Sequence, residues 1–189
     1  HPMSARRQRQ MCIRDRPNVE TQPDDCLNPY SVSKISAEKI CKMYSDMYKL
    51  PTIIFRYFNV YGERAPSRGQ YAPVIGIFLR QKKAVQKLTV VCDGEQRRDF
   101  IYVGDVVEAN IKAATKDIDK KFFGEVFNVG SGENISINEI AQMIDNNIEH
   151  IPPREGEARI TLANIEKIRN LFDWLPKMNL KDWVKPYLI

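Results

Sequence analysis

Several things are scarce in this chain, and each scarcity excludes something. It has no CxxC pair, and only His1 and His150 stand beside the widely spaced Cys12, Cys26, Cys41 and Cys92. That spacing supports neither a zinc site nor a disulfide framework, so no metal is expected. No apolar run approaches the length that spans a bilayer. No apolar stretch of signal-peptide type opens the chain, so a reducing cytoplasmic setting is expected. Only nine of 189 residues are glycine, and no GxGxxG or GxxGxxG occurs. The positive charge is also thinner than it looks. Residues 1–16 hold five arginines against Asp15 and so account for most of the +5 net charge. A nucleic-acid binder needs its basic residues on a folded face, and no such stripe is present. The tail reads as a disordered or foreign extension.

A hydrophobic content of 43% is enough for a packed core. Residues 17–28 show no periodicity. Asn28 then offers an N-cap and Pro29 a first helical position. Ile40, Met43, Tyr44 and Met47 keep helical spacing up to Lys49, and Leu50-Pro51 stops the helix. Residues 52–55 are β-branched and apolar, a buried strand. Residues 57–70 read as a loop. Beyond it, a helix is expected over 74–82, strands over 88–91 and 99–102, a helix over 103–114 and a strand over 125–129. Ser136-Ile-Asn-Glu139 is a capping box opening a helix to about 144. A strand at 148–151 and helices over 164–172 and 180–187 close an α/β order without internal repeats.

The sharpest chemical signal is Tyr30-Ser-Val-Ser-Lys34. Four residues are about one helical turn, so both side chains can share a face. A phenol is a poor base near neutrality, but an adjacent ammonium and the positive end of a helix both favour phenolate. Taken alone, so short a pattern reads as a surface tyrosine and a solvated lysine. Its context is Ser36-Ala-Glu-Lys39, Phe55-Arg-Tyr-Phe-Asn-Val-Tyr-Gly62, Asp93-Gly-Glu-Gln-Arg-Arg-Asp-Phe100, Tyr102-Val-Gly-Asp105, Phe127-Asn-Val-Gly130 and Pro152-Pro-Arg-Glu-Gly-Glu157. In that order, over residues 17–185, these blocks resemble the extended short-chain dehydrogenase/reductases, the NAD-dependent epimerase/dehydratase group. Among its branches they are most similar to UDP-sugar 4-epimerases.

The resemblance implies a role for each matching residue. Tyr30 would be the catalytic base and acid. Lys34 would bind the nicotinamide ribose and lower the phenol pKa. Tyr57 and Phe58 would line the nicotinamide, and Asn59 would meet the nucleotide's phosphates. Arg98 and Arg154 would clamp the diphosphate, and Glu157 would take a ribose hydroxyl. Thr161 would border the pocket for the sugar's 2-substituent, its small side chain leaving room for an acetamide. Without the motif order, Arg98 reads as a surface ion pair with Asp99 or Glu95, Arg154 and Glu157 as another, and Thr161 as an ordinary strand residue. The implied cofactor is NAD, the implied substrate a UDP-hexose, and the implied assembly a homodimer through the helix 30–49 face. A dehydratase or decarboxylase using the same pair, and a non-catalytic fragment holding a UDP-sugar or a partner, are the alternatives.

The family's glycine-rich turn, at which the dinucleotide pyrophosphate is approached, has no counterpart here. Val129-Gly-Ser-Gly132 imitates it without the third glycine and reads as a turn. The family's Ser or Thr about 24 to 26 residues before the tyrosine is matched only by Ser4, in arginine-rich surroundings. Cys92 replaces a usual glycine, which predicts a strained turn. The expected organisation is therefore a basic tail (1–16), the end of a Rossmann sheet (17–62), and a small α/β substrate-binding lobe (63–189). Helix 103–117 would return to the Rossmann part. As a fragment lacking most of the NAD-binding half, the chain is expected to be inactive alone.

Overall fold

The computed structural model describes residues 17–23, 26, 28–69, 72–153 and 156–188. The basic tail with Ser4 and Cys12, and also Arg154, lie outside the described residues. Helix α1, Pro29–Tyr48, begins as the sequence predicts. The Asn28 side chain accepts from the Ser31 N–H at 2.9 Å, and the Ser31 hydroxyl returns the contact to the Asn28 backbone. Lys49 ends the helix in the left-handed region.

Strand β1, Ile54–Tyr57, pairs in parallel with the later β6, Val126–Val129. Strand β2, Asn59–Tyr61, pairs in parallel with β5, Phe100–Tyr102. The loop expected from residue 57 is thus corrected: the chain stays extended to Tyr61. It changes partner at Phe58, whose N–H donates to Val129 O at 3.0 Å, while the next N–H, from Asn59, donates to Asp99 O at 3.0 Å. The polar Asn59 and the following glycine mask this strand in the sequence, but the β5 ladder holds it. Helix α2, Val74–Lys83, leads to β3, Leu88–Val91, and the short β4, Arg97–Arg98. Helix α3, Val103–Thr115, follows β5 directly. After β6 come β7, Ile135–Ser136, paired antiparallel with β4, then α4, Ile137–Ile144, with the predicted Ser136/Glu139 capping box. Strand β8, Ile148–Ile151, pairs in parallel with β3. Helices α5, Glu166–Phe172, and α6, Leu180–Val184, close the described chain. Residues 17–23, read as featureless, dock through a parallel bridge from Asn18 to Ala163.

Two apolar clusters hold these elements. One gathers Phe78, Leu88, Val90, Phe100, Ile140 and Trp183 from α2, β3, β5, α4 and α6. The other gathers Ile101, Val106, Phe127, Ile168 and Phe172 from β5, α3, β6 and α5, and Trp174 just beyond α5, with Phe55 packed against it. Alternate residues of β5 face opposite clusters, Phe100 one and Ile101 the other, as strand geometry requires. Cys92 does adopt a positive φ, 55°, the strain its departure from glycine predicts.

Candidate active site

The partner change at Phe58 creates a seam at the carboxyl end of β1. In parallel α/β sheets a crevice of this kind is where ligands bind. The amino end of α1 comes to the same place, because Asn28 Nδ2 donates to Gly156 O at 3.3 Å and ties the helix start to the segment before Glu157. Tyr30, in the first turn, is 55% exposed, and the Lys34 ammonium lies over its ring, 5.3 Å from the centroid. The i, i+4 spacing thus brings the pair together, with the cation on the π face.

Two clefts meet at this seam. One, of about 630 Å³, has Tyr30, Phe58, Asn59, Gln96, Arg98 and Glu157 in its walls. The other, of about 530 Å³, has Tyr30, Tyr57, Phe58, Asn59 and Thr161. Every described candidate except Lys34 lines one or both, and Lys34 sits on Tyr30. A third hollow, of about 680 Å³ beside Arg80 and Trp183, contains none of them.

The hydrogen bonds refine the assignments. The Arg98 guanidinium donates to the carbonyls of Arg97 at 3.0 Å and Arg159 at 3.3 Å, and lies 3.8 Å from the Glu157 carboxylate. Neither Asp99 nor Glu95 is its partner, which corrects the ion pairs the bare sequence suggests. Burial pulls the Arg98 guanidinium below its usual range, with Glu157 opposing the shift. Tyr57 turns its hydroxyl to Asn110 Oδ1 at 3.0 Å on α3. Asn59 Nδ2 donates to Asp99 O at 2.8 Å and approaches Thr161 Oγ1 at 3.5 Å. Thr161 Oγ1 also accepts from the Asp99 N–H at 3.3 Å. Its oxygen is therefore committed to the scaffold.

Asp99 is the organiser that sequence reasoning missed. It is fully buried, and its Oδ1 accepts from the Ser131 N–H at 2.7 Å and hydroxyl at 2.8 Å. Its Oδ2 accepts from the N–H groups of Gly132 at 3.1 Å and Ala163 at 2.9 Å. Burial pushes the carboxyl above the usual range while these four donors pull the other way. The glycine-rich turn 130–132 thus cradles an internal carboxylate. A Cβ at Gly130 would collide with Asp99 and Ala163, so this glycine serves packing. The Ser131 and Gly132 N–H groups are spent on Asp99, which suits this turn poorly to a dinucleotide pyrophosphate. The Tyr30–Lys34 pair, Tyr57 and Phe58 lie instead at the β1 seam, where Tyr30, Tyr57 and Phe58 share a cleft wall. A further missed pair is Glu38 with Arg56, joined at 2.7 Å through both carboxylate oxygens. It fixes α1 to the strand that carries Tyr57 and Phe58. The signal in retrospect is spacing, since Glu38 follows Lys34 by four residues and shares its face.

Comparison with known proteins gives a consistent result. The model of the NAD dependent epimerase/dehydratase family matches residues 9–130. A putative UDP-glucose 4-epimerase of Methanocaldococcus jannaschii is 37% identical over 89% of this chain and 55% of its own length. A UDP-N-acetyl-alpha-D-glucosaminuronate decarboxylase of Bacillus cytotoxicus is 42% identical over 65% of this chain and 38% of its own. Among solved structures, the UDP-glucose 4-epimerase of Thermotoga maritima with UDP-glucose superposes with a TM-score of 0.85 at 30% identity, covering 94% of this chain and 58% of that one. The chain spans about half the length of the curated relatives it matches.

Proposed function

The chain belongs to the NAD-dependent epimerase/dehydratase family, and we propose that it forms the substrate-holding and proton-transferring part of a UDP-hexose 4-epimerase. The observation that carries this reading is the shared wall: Tyr30, Phe58 and Asn59 border both clefts at the β1 seam. A nucleotide-sugar lying across them has its sugar at Tyr30 and its diphosphate toward Arg98. Tyr30 takes the proton of the sugar 4-hydroxyl and later returns it. Lys34 holds the nicotinamide ribose and keeps a positive charge at the phenol. Tyr57 and Phe58 form the nicotinamide wall. Asn59, Arg98 and Arg154 meet the phosphates, for which guanidinium geometry is suited. Glu157 accepts from a ribose hydroxyl. Thr161 leaves space at the sugar's 2-position, so N-acetylated UDP-hexoses are accepted as well. When bound, NAD supplies the hydride exchange that makes the reaction redox-neutral.

The division into a Rossmann remnant and a substrate lobe is supported by the two separate apolar clusters. In one of them, β6 and α5 join α3 around Phe55. The exposed Ile40, Met43, Tyr44 and Met47 on α1 support a helix-to-helix contact between two copies of the whole protein. No described helix is long and apolar enough to cross a membrane. A second reading, a nucleotide-sugar decarboxylase, is favoured by the 42% identity to such an enzyme.

The test joins this chain to the glycine-rich half of a relative. Tyr30→Phe keeps the ring and removes the proton carrier. Turnover of UDP-glucose to its C4 epimer should fall by about two to four orders of magnitude, with nucleotide affinity nearly unchanged. Near-normal turnover in Tyr30→Phe would overturn the assignment. Release of carbon dioxide from a UDP-uronic acid, without epimerisation of UDP-glucose, would favour the second reading.

A further inference from the structure

We propose that Asn28 is a positioning residue for the nucleotide: it ties the segment before Glu157 to the first turn of the Tyr30 helix, and so holds Glu157 where the ribose hydroxyls arrive. The inference rests on the reading of the 630 Å³ cleft as the nucleotide site.

The amide of Asn28 uses both of its ends. Its Oδ1 accepts from the Ser31 N–H at 2.9 Å and caps α1, while its Nδ2 donates to Gly156 O at 3.3 Å. The two contacts agree on which end is nitrogen, since a backbone N–H only donates and a carbonyl only accepts. Capping alone does not call for asparagine, because aspartate and serine cap a helix about as well. Of the three, asparagine alone carries its donor on a separate atom from the capping oxygen. The second arm is therefore what distinguishes the residue present here.

Little else that is polar fixes the segment it reaches. Strand β8 ends at Ile151, and the next backbone anchor is Arg159, whose carbonyl accepts from the Arg97 N–H at 2.9 Å. Among the described residues, the stretch from 152 to 158 has two polar contacts: the Asn28 tether, and the Glu157 carboxylate 3.8 Å from Arg98 Nη2. At that distance the ion pair is no hydrogen bond and gives the carboxylate little direction. The tether grips the residue immediately before Glu157 and limits where the carboxylate can stand. Asn28, Tyr30, Arg98, Gly156 and Glu157 all line the same cleft. One side chain thus joins the ribose acceptor to the helix that bears the proton carrier. An incoming nucleotide meets both at a set separation, and less binding energy goes into ordering the segment.

Calorimetric titration of the 189-residue chain with UDP and with 2′,3′-dideoxy-UDP tests this, because the second nucleotide lacks the hydroxyls that Glu157 takes. The unaltered chain should prefer UDP by about tenfold. Asn28→Ser keeps the cap and loses the arm to Gly156. Its UDP affinity should fall by about three- to tenfold, and its affinity for the dideoxy nucleotide by less than about twofold. Its melting temperature should stay within about 2 °C of the unaltered chain. Asn28→Asp also keeps the cap and should shrink the UDP preference likewise, which covers a serine variant that folds poorly. In a Glu157→Ala background, Asn28→Ser should cost less than about twofold more, since a positioning residue acts only through the group it positions. A merely structural role would lower both affinities by one factor. That result, or an unchanged UDP affinity, overturns the proposal. So does equal affinity of the unaltered chain for the two nucleotides, which removes the ribose contact to be positioned. Binding of neither nucleotide overturns the reading of the cleft itself, and the role of Asn28 with it.

Discussion

Replacing Asp99 by alanine should destabilise the fold more than any other single polar substitution near the site. The native carboxylate satisfies three backbone N–H groups, from Ser131, Gly132 and Ala163, and the Ser131 hydroxyl. The hydroxyl can turn to another acceptor, as its contact with Glu133 O at 2.9 Å shows. The three N–H groups cannot. A buried donor left unpaired costs about 1–3 kcal/mol, so the gross loss is about 3–9 kcal/mol. Against it stands the relief of no longer burying a carboxylate, and water entering the space left by the side chain recovers part of the rest. A net loss of about 3 kcal/mol is expected, and the melting temperature of a chain this long should drop by about 6–12 °C. Urea unfolding followed by the fluorescence of Trp174, which is fully buried, measures it. The pH dependence adds a sign. Because burial raises the Asp99 carboxyl above its ordinary value, the folded state holds that proton more tightly than the unfolded chain. The margin of the native protein over Asp99→Ala should therefore widen as pH falls from 7 through the folded value, and level off below the unfolded value of about 3.9. A midpoint shift worth less than about 1 kcal/mol, or a margin that narrows on acidification, would refute this account of the carboxylate.

The chain alone should bind NAD weakly, because the Ser131 and Gly132 N–H groups of the turn after β6 are held by Asp99; micromolar affinity by calorimetry would contradict this. In the chain joined to a relative's glycine-rich half, Thr161→Tyr should suppress turnover of UDP-N-acetylglucosamine by about tenfold or more relative to UDP-glucose, since steric rejection acts on the acetylated sugar alone. Equal losses on both sugars would show instead that the substitution has disturbed the Asp99 and Asn59 contacts of Thr161.

Much of this site was legible in sequence wherever its cause is local. The Asn28 cap, Pro29 and the Ser136/Glu139 box are interactions between residues within a single turn, and the structure reproduces each. The i, i+4 relation of Tyr30 and Lys34 is equally local. What escaped has distant causes. Asn59-Val-Tyr-Gly62 reads as a loop by composition, and Asn59–Tyr61 becomes strand only because the β5 backbone, about forty residues later, supplies its ladder. Asp99 reads as half of a surface ion pair with Arg98 until donors from residues 131, 132 and 163 close around it. Segment 17–23 has no pattern of its own, and it is ordered by Asn128 and Ala163. The Asn128 N–H donates to Glu20 Oε1 at 2.9 Å, and its side-chain amide donates to Asn18 O at 2.8 Å. Polar residues depend on the fold in this way because their role is fixed by whichever donor or acceptor the topology delivers, whereas an apolar residue needs only to be covered.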